Sequence, residues 1–299
     1  DNDPEGIYQE VLRVVRYWIS LGVKVFRVDN PHTKPVVFWE WLIGEVSTTN
    51  PEVIFLAEAF TRPSMMHTLG KVGFQQSYTY FTWRNSKSEL ESYLTEVAKQ
   101  TAEFFRPNFW VSTPDILTEY LQFGGKPAHK IRATLASMAT PNWGLYAGYE
   151  LIEAVARPGA EEHIDSEKYE YKPRDWKAAE KSGRSISSYV TLLNQIRKDN
   201  EALATGRLVP LSASSSHVAA YLRRALREPP SARHRAAVLS QLGAAELGER
   251  AAVEVGTEHP DRGGLRIGRG VLCPQQHHQL LIQHAKLPHQ AHPTPLLRG

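Results

Sequence analysis

Val23-Lys24-Val25-Phe26-Arg27-Val28-Asp29-Asn30-Pro31 is the stretch on which the fold turns. Residues 23–28 form a short run rich in β-branched side chains that reads as a buried strand, and Asp29-Asn30-Pro31 ends it. Upstream, Asp3 and Pro4 suit the cap and first position of a helix. Val11, Val14, Val15, Trp18 and Ile19 then recur at three-to-four spacing, and Gly22 terminates the pattern. Downstream, a second helix is predicted from about Phe38 to Val46, followed by a second strand, Val53 to Ala57, closed by Glu58.

The same alternation continues. After a turn around Gly70 to Gly73, Ser77 to Trp83 reads as a third strand, and a helix from about Lys87 to Phe104 follows with Ser86 or Ser88 as its cap. Phe109 to Ser112 is a fourth strand, ended by Pro114-Asp115. A helix around Lys130 to Met138 leads to a weaker fifth strand, Gly144 to Tyr149, and Trp176 to Lys198 is again helical. Strand and helix alternating every ~30 residues imply parallel strands joined by right-handed crossovers. Two architectures satisfy that: a doubly wound sheet and a (β/α)8 TIM barrel. No G-x-G-x-x-G or Walker loop follows any strand, which weakens the nucleotide-binding version. Acids stand at the C-terminal ends of three strands, Asp29, Glu58 and Asp115, as an enzyme built on a barrel would have them.

The chain has 299 residues, 41% hydrophobic and 22% charged, an ordinary globular mixture with room for one large domain or one domain with an appendage. No run approaches the ~18–20 apolar residues needed to cross a bilayer. A net charge of +3 is too small to indicate nucleic acid, and the single Cys273 excludes an internal disulfide framework and fits a reducing compartment. The composition is not uniform. All ten Phe lie at or before Phe123, and eight of the twelve His lie beyond residue 202, where Tyr221 is the only aromatic. That segment also carries a charge excess of +6 against −3 for residues 1–202. A small all-β domain and a basic arm are both conceivable, but the shortage of bulky apolar residues favours a disordered or out-of-frame tail over 203–299.

Carboxylates from separate parallel strands can converge on one sugar. Glycoside chemistry needs one to attack the anomeric carbon and a second to protonate the leaving oxygen, at about 5–5.5 Å apart in a retaining enzyme. A third can favour a distorted, oxocarbenium-like ring. Arg27, two residues before Asp29 and on the same strand face, can keep Asp29 charged. Any one acid at a strand end could simply cap the next helix; three in register, with that arginine, favour chemistry. His32 and His67 lack metal-ligand spacing and read as loop or structural histidines.

These residues resemble the α-amylase superfamily. Phe26-Arg27-Val28-Asp29-Asn30-Pro31-His32-Thr33-Lys34-Pro35 is similar to its nucleophile strand, and Phe55-Leu56-Ala57-Glu58-Ala59-Phe60-Thr61-Arg62-Pro63 to its acid/base strand, in the form found in the bacterial maltosyltransferases that use α-maltose 1-phosphate. Ser77 to Arg84, Thr113 to Leu117 and Trp143 to Glu150 match three further blocks, so the resemblance covers about residues 1–202. It implies that Asp29 is the nucleophile, Glu58 the general acid/base and Asp115 the transition-state stabiliser. Arg27 and Asn30 would line the donor pocket, and Lys168 and Tyr169 would contact the donor sugars. It further implies a cytoplasmic enzyme without a metal or other cofactor, homodimeric at full length, with α-maltose 1-phosphate as donor and an α-1,4-glucan such as glycogen as acceptor. Ser112 departs from the family's Asn, and Pro114 stands where a general amylase has His. The chain opens just before the family's fourth barrel strand, so strands 4 to 8 of the barrel, an inactive fragment, are expected. An α-glucan hydrolase and a non-catalytic carbohydrate-binding remnant are the alternatives.

Overall fold

The structure is a computed structural model and describes residues 3–167, 171–204, 206–215, 218–224, 235–241 and 253–257. Helix α1 (Pro4–Ser20) starts as its sequence dictates, with the Asp3 carboxylate accepting the Gly6 N–H at 2.8 Å and Pro4 in the first turn. Strand β1 (Val25–Asp29), helix α2 (Val36–Thr49) and strand β2 (Ile54–Glu58) follow. Next come α3 (Pro63–Lys71), β3 (Gln76–Tyr78), α4 (Lys87–Thr95), β4 (Pro107–Trp110), α5 (Glu119–Ala139) and β5 (Asn142–Gly144). Helices α6 (Trp176–Lys181), α7 (Ser187–Asp199) and α8 (Glu201–Ala204) close the α/β region.

Strands β1 to β5 make one parallel sheet in sequential order, without the reversal that marks a doubly wound sheet. The register decides what each face carries. Asp29 pairs with Glu58, Leu56 with Gln76, Tyr78 with Asn108 and Trp110 with Gly144. Paired residues point the same way and alternate along each strand. Arg27, Asp29, Glu58, Gln76, Tyr78, Asn108 and Trp110 therefore share one face. Phe26, Val28, Phe55, Ala57 and Phe109 take the other, in the two clusters that pack under the helices. The helix-covered face is apolar and the opposite face polar, so the helices lie on one side only. Phe55, Phe81, Phe109, Leu42, Leu90, Leu121 and Leu135 are fully buried, each contributing roughly 1.5–3 kcal/mol.

Several boundaries differ from those the pattern predicts. The third strand stops at Tyr78 rather than Trp83, because the Thr79 hydroxyl accepts the Phe81 N–H and opens a 3-10 turn over Tyr80–Trp83. The fifth strand is Asn142–Gly144, not 144–149. The predicted 87–104 helix ends at Thr95 and relaxes into a π-helical turn, Glu96–Gln100; of its two candidate caps Ser86 serves, in a reciprocal capping box with Glu89. The 130–138 helix is the second half of α5, which breaks at Gly125 (φ 55°). Gly183 (φ 70°) divides the predicted 176–198 helix into α6 and α7.

Part of the segment after residue 202 is described, and there it contains strands. Strands β6 (Arg207–Leu211), β7 (Val218–Arg224), β8 (Arg235–Gln241) and β9 (Val253–Thr257) form an antiparallel meander. The physical reason lies in a few anchors: Leu208, Ala219 and Tyr221 are buried and join the larger core cluster beside α5 and α7. The other residues beyond 202, Cys273 among them, lie outside the described ones. At the opposite end, the free edge of β1 has no strand partner among the described residues. Ile7, Tyr17 and Trp18 of α1, Leu21 at its C-terminal cap and Val25 of β1 are exposed. No described helix is long and apolar enough to cross a membrane.

Candidate active site

The polar face of the sheet ends in a compact group of charges. Asp29 is the last residue of β1 and stands beside Glu58, the last of β2. Glu58 is 7% exposed, whereas Asp29 is open to solvent. The two acids are register partners on neighbouring parallel strands, so both stand at the same end of the sheet and on the same face. Burial pushes the Glu58 carboxyl above its ordinary pKa; the Arg27 guanidinium and the Asn30 N–H oppose that, and the neighbouring Asp29 adds to it. A group so placed holds its proton longer than an exposed glutamate, as an acid/base must.

Arg27 ties the group together. Its Nη2 lies 3.5 Å from Glu58 Oε1 and 3.9 Å from Asp115 Oδ2. Asp115 does not sit at the end of a strand as the pattern suggested, since β4 stops at Trp110. It rides at the tip of a tight turn in which Thr113 and Ile116 exchange backbone hydrogen bonds, and the Thr113 hydroxyl accepts the Asp115 N–H at 3.1 Å. Ser112, which departs from the family pattern, is buried at the root of this turn with no hydrogen-bond partner for its hydroxyl.

Asn30 has left-handed backbone geometry (φ 44°, ψ 52°), which turns its N–H back toward Glu58, 3.0 Å from the carbonyl and 3.3 Å from Oε2. Its side-chain amide donates to Asp29 Oδ1 at 3.1 Å. Asparagine tolerates this geometry, whereas alanine is penalised by about 1–2 kcal/mol. Asn30→Ala is therefore expected to lose about that much stability in a urea titration while Asn30→Gly stays near the parent. Equal losses would show that the backbone geometry is not what asparagine provides.

Three aromatic residues that the linear pattern did not single out complete the face. Tyr78 lies under Arg27, with the guanidinium carbon 5.9 Å from its ring centroid, and Trp110 packs on Tyr78 at 4.9 Å. The indole of Trp110 lies over Gly144, where a Cβ would fall 2.7 Å from it. Phe60 meets Tyr78, Tyr80 and Trp83 edge-on. The period-two alternation of β3 and β4 was the available signal, but only the register shows which alternate set shares a face with the acids.

The structure brings Asp29, Glu58, Asp115, Arg27 and Asn30 together. Lys168 and Tyr169 lie outside the described residues. His67 is paired instead with Glu96 at 3.2 Å and meets Phe104 and Phe105 edge-on. His32 lies in the 3-10 turn after Asn30, its Nδ1 buried without a partner. Among the described residues, no cluster of three or more His, Cys, Asp or Glu is placed to hold a metal ion.

The raised Glu58 pKa has a consequence for stability. Its proton is held more tightly in the folded than in the unfolded chain, so the cost of its charge is absent below the unfolded pKa and grows as pH rises through the folded one. Glu58→Gln is expected to raise the thermal midpoint at neutral pH, and to give no gain well below the carboxylate range. A midpoint that falls at neutral pH would mean that the pair with Arg27 outweighs the burial cost.

The chain is 58% identical over 204 residues to α-1,4-glucan:maltose-1-phosphate maltosyltransferase 1 of Streptomyces coelicolor, covering 68% of this chain and 30% of that protein. The maltosyltransferase of Corynebacterium glutamicum is 54% identical over 223 residues, covering 74% of this chain and 33% of its own length. This chain is a maltosyltransferase relative. It spans about a third of the length of the curated maltosyltransferases it matches. No protein-family model matches it. Among solved structures, Amy13B of Eubacterium rectale superposes with a TM-score of 0.60 at 15% identity over 87% of this chain and 61% of that one. The α-amylase of H. orenii gives 0.59 at 15% identity over 81% and 55%. At that identity the likeness establishes the fold alone: this maltosyltransferase relative has the α/β fold of α-amylase-type proteins.

Proposed function

We propose that this chain carries the catalytic carboxylates of a retaining maltosyltransferase, which moves maltosyl units from α-maltose 1-phosphate to the non-reducing ends of α-1,4-glucans. The supporting observation is the meeting of Glu58 and Asp115 on one guanidinium nitrogen, with Asp29 against Glu58. In the first step an Asp29 oxygen attacks the anomeric carbon, the bond from that carbon to phosphate breaks, and phosphate leaves with the bonding electrons. A β-maltosyl ester results. Glu58 then takes the proton from a glucan 4-hydroxyl, whose oxygen displaces Asp29 from the opposite face. Two inversions give an α-1,4 bond and restore the carboxylate. Asp115 stabilises positive charge developing on the ring, Arg27 and Asn30 hold the acids in place, and Lys168 and Tyr169 contact the donor sugars. Phosphate needs less protonation to leave than a sugar alkoxide, so Glu58 contributes more to the second step than to the first.

The five parallel strands are, in this reading, the second part of a (β/α)8 barrel, strands 4 to 8. In this reading the isolated chain is inactive: the edge of β1 has no strand partner among the described residues, so half of the barrel wall around Asp29 has to come from elsewhere. The complete enzyme is read as a cytoplasmic homodimer working in glycogen or related glucan synthesis. Phosphate release from α-maltose 1-phosphate with glycogen tests this directly. The expected result is no turnover by the chain alone, and turnover when residues 1–204 replace the matching stretch of the Streptomyces coelicolor relative. An inactive replacement, or full rates from the chain alone, would overturn it. One observation favours a second reading: the open site admits water, which would make the chain a glucan hydrolase. That reading requires reducing-sugar release from starch without any phosphate donor.

A further inference from the structure

A cavity of about 590 Å³, in the size range of small-molecule sites, lies at the other end of the sheet from the acids. Its place follows from the topology. Pro107 opens β4 and Asn142 opens β5, whereas Asp29 and Glu58 close β1 and β2, and these strands run parallel. The cavity is lined jointly by the α/β region and by β6 and β7. Phe105, Pro107, Pro141 and Leu208 give it apolar surface, with Val97 and Ala98 added from the π-helical turn after α4.

The charged lining is one-sided. Arg106, Arg207 and Arg223 are set against a single carboxylate, Glu103, and none of the four is ion-paired among the described residues. Arg106 and Arg207 are exposed, and their guanidinium groups make no hydrogen bond to a described residue. Arg223 is 2% exposed, and four of its five N–H groups go to the carbonyl oxygens of Ala202, Ala139, Leu203 and Gly206. Those bonds satisfy its hydrogens without cancelling its charge. Arg197 adds to the excess: it donates to the carbonyls of Thr140 and Pro141, both of which line the cavity, and its charge repels Arg223. A buried cation that is repelled by a second cation and has no anion beside it is costly. An anion in the cavity relieves both costs.

We propose that this cavity binds a phosphate group, free or carried by a sugar as a phosphomonoester, and that the bound group ties β6 and β7 to the α/β region. Three arginines against one glutamate leave an excess of two positive charges, which a phosphate dianion balances and a carboxylate or chloride does not. The planar guanidinium fork also matches phosphate oxygens in direction. The site uses none of the catalytic acids and stands at the opposite end of the strands. The inference therefore goes beyond the transfer reaction and does not depend on it.

Thermal unfolding of the full 299-residue chain in increasing inorganic phosphate, with chloride holding the ionic strength constant, tests it. The midpoint is expected to rise with phosphate and not in the chloride control, as linkage requires of a site present only on the folded chain. A parallel series with glucose 6-phosphate separates the two sources. A larger rise at equal concentration assigns the cavity to a phosphomonoester, and an equal or smaller one to free phosphate. Arg106→Ala and Arg207→Ala remove exposed, unbonded side chains, so the midpoint without phosphate should stay near that of the parent. Each should weaken the apparent affinity by about tenfold or more, the loss of one charge-assisted contact. Glu103→Gln should strengthen it severalfold, a gain that a purely structural role does not produce. The proposal is overturned if phosphate raises the midpoint no more than chloride does. It is overturned equally if the rise survives both arginine replacements, because the phosphate would then sit elsewhere.

Discussion

With residues 1–204 installed in the Streptomyces coelicolor relative, Asp29→Asn is expected to lower transfer by about 10⁴–10⁶-fold, the range seen when a covalent nucleophile is removed. The amide has nearly the same shape, so the group is lost without a cavity and the fold should be unaffected. Glu58→Gln should behave differently, and the difference is diagnostic. Phosphate leaves with little help from an acid, so the ester on Asp29 still forms. Its displacement by a glucan hydroxyl then lacks a base. The result is a burst of about one phosphate per enzyme followed by slow turnover, with a maltosyl adduct on Asp29 visible by mass spectrometry. A hydrolase would give no phosphate-dependent burst, and a binding remnant would give no adduct in either variant. If the amide at 29 retains more than about one-hundredth of the parent rate, another residue is the nucleophile.

The same residues show what could be read from the chain and what could not. Alternating apolar strands and amphipathic helices are short-range patterns, so β1, α1, α2 and β2 were legible, and so was the placement of Asp29 and Glu58 at strand ends. Local hydrogen bonding that competes with the regular pattern was not. Thr79 captures an N–H and ends β3 early, and Gly183 divides a helix whose periodicity runs on across it. Asp115 looked like a strand end because Phe109 to Val111 is apolar, but pairing with β5 stops at Trp110 and the tight turn from Thr113 to Ile116 carries the acid. Contacts across the sheet were hidden for a further reason. That Arg27 bridges Glu58 and Asp115, and that Tyr78 lies beneath it, depends on register between strands, which no local window contains. After residue 202, a composition average could not show where a single aromatic side chain, Tyr221, joins the core.

That last point yields the largest stability effect expected away from the site. Arg223, in β7, is 2% exposed and donates to four carbonyl oxygens, those of Ala202, Ala139, Leu203 and Gly206. Ala139 ends α5, and Ala202 and Leu203 lie in α8, so one guanidinium serves the negative ends of two helices and joins the antiparallel sheet to them. Burial costs the cation enough to pull its pKa down to about 10, and the carbonyl bonds offset that. Arg223→Ala strands several buried acceptors at once, and at about 1–3 kcal/mol for a stranded acceptor a loss of roughly 3 kcal/mol or more is expected in urea titration. Arg223→Lys should recover only part, since a single ammonium cannot span the four oxygens. Tyr221, two residues earlier and 1% exposed, supplies the control. Its hydroxyl is buried without a hydrogen-bond partner, so Tyr221→Phe keeps the packing, removes an unpaired polar group, and should be neutral or slightly stabilising. Tyr221→Ala should instead cost about 3–5 kcal/mol through the cavity it leaves. If Arg223→Ala and Tyr221→Ala both leave the unfolding midpoint unmoved, β6 and β7 do not dock on α5 and α8, and the segment after residue 204 contributes nothing to holding the catalytic sheet together.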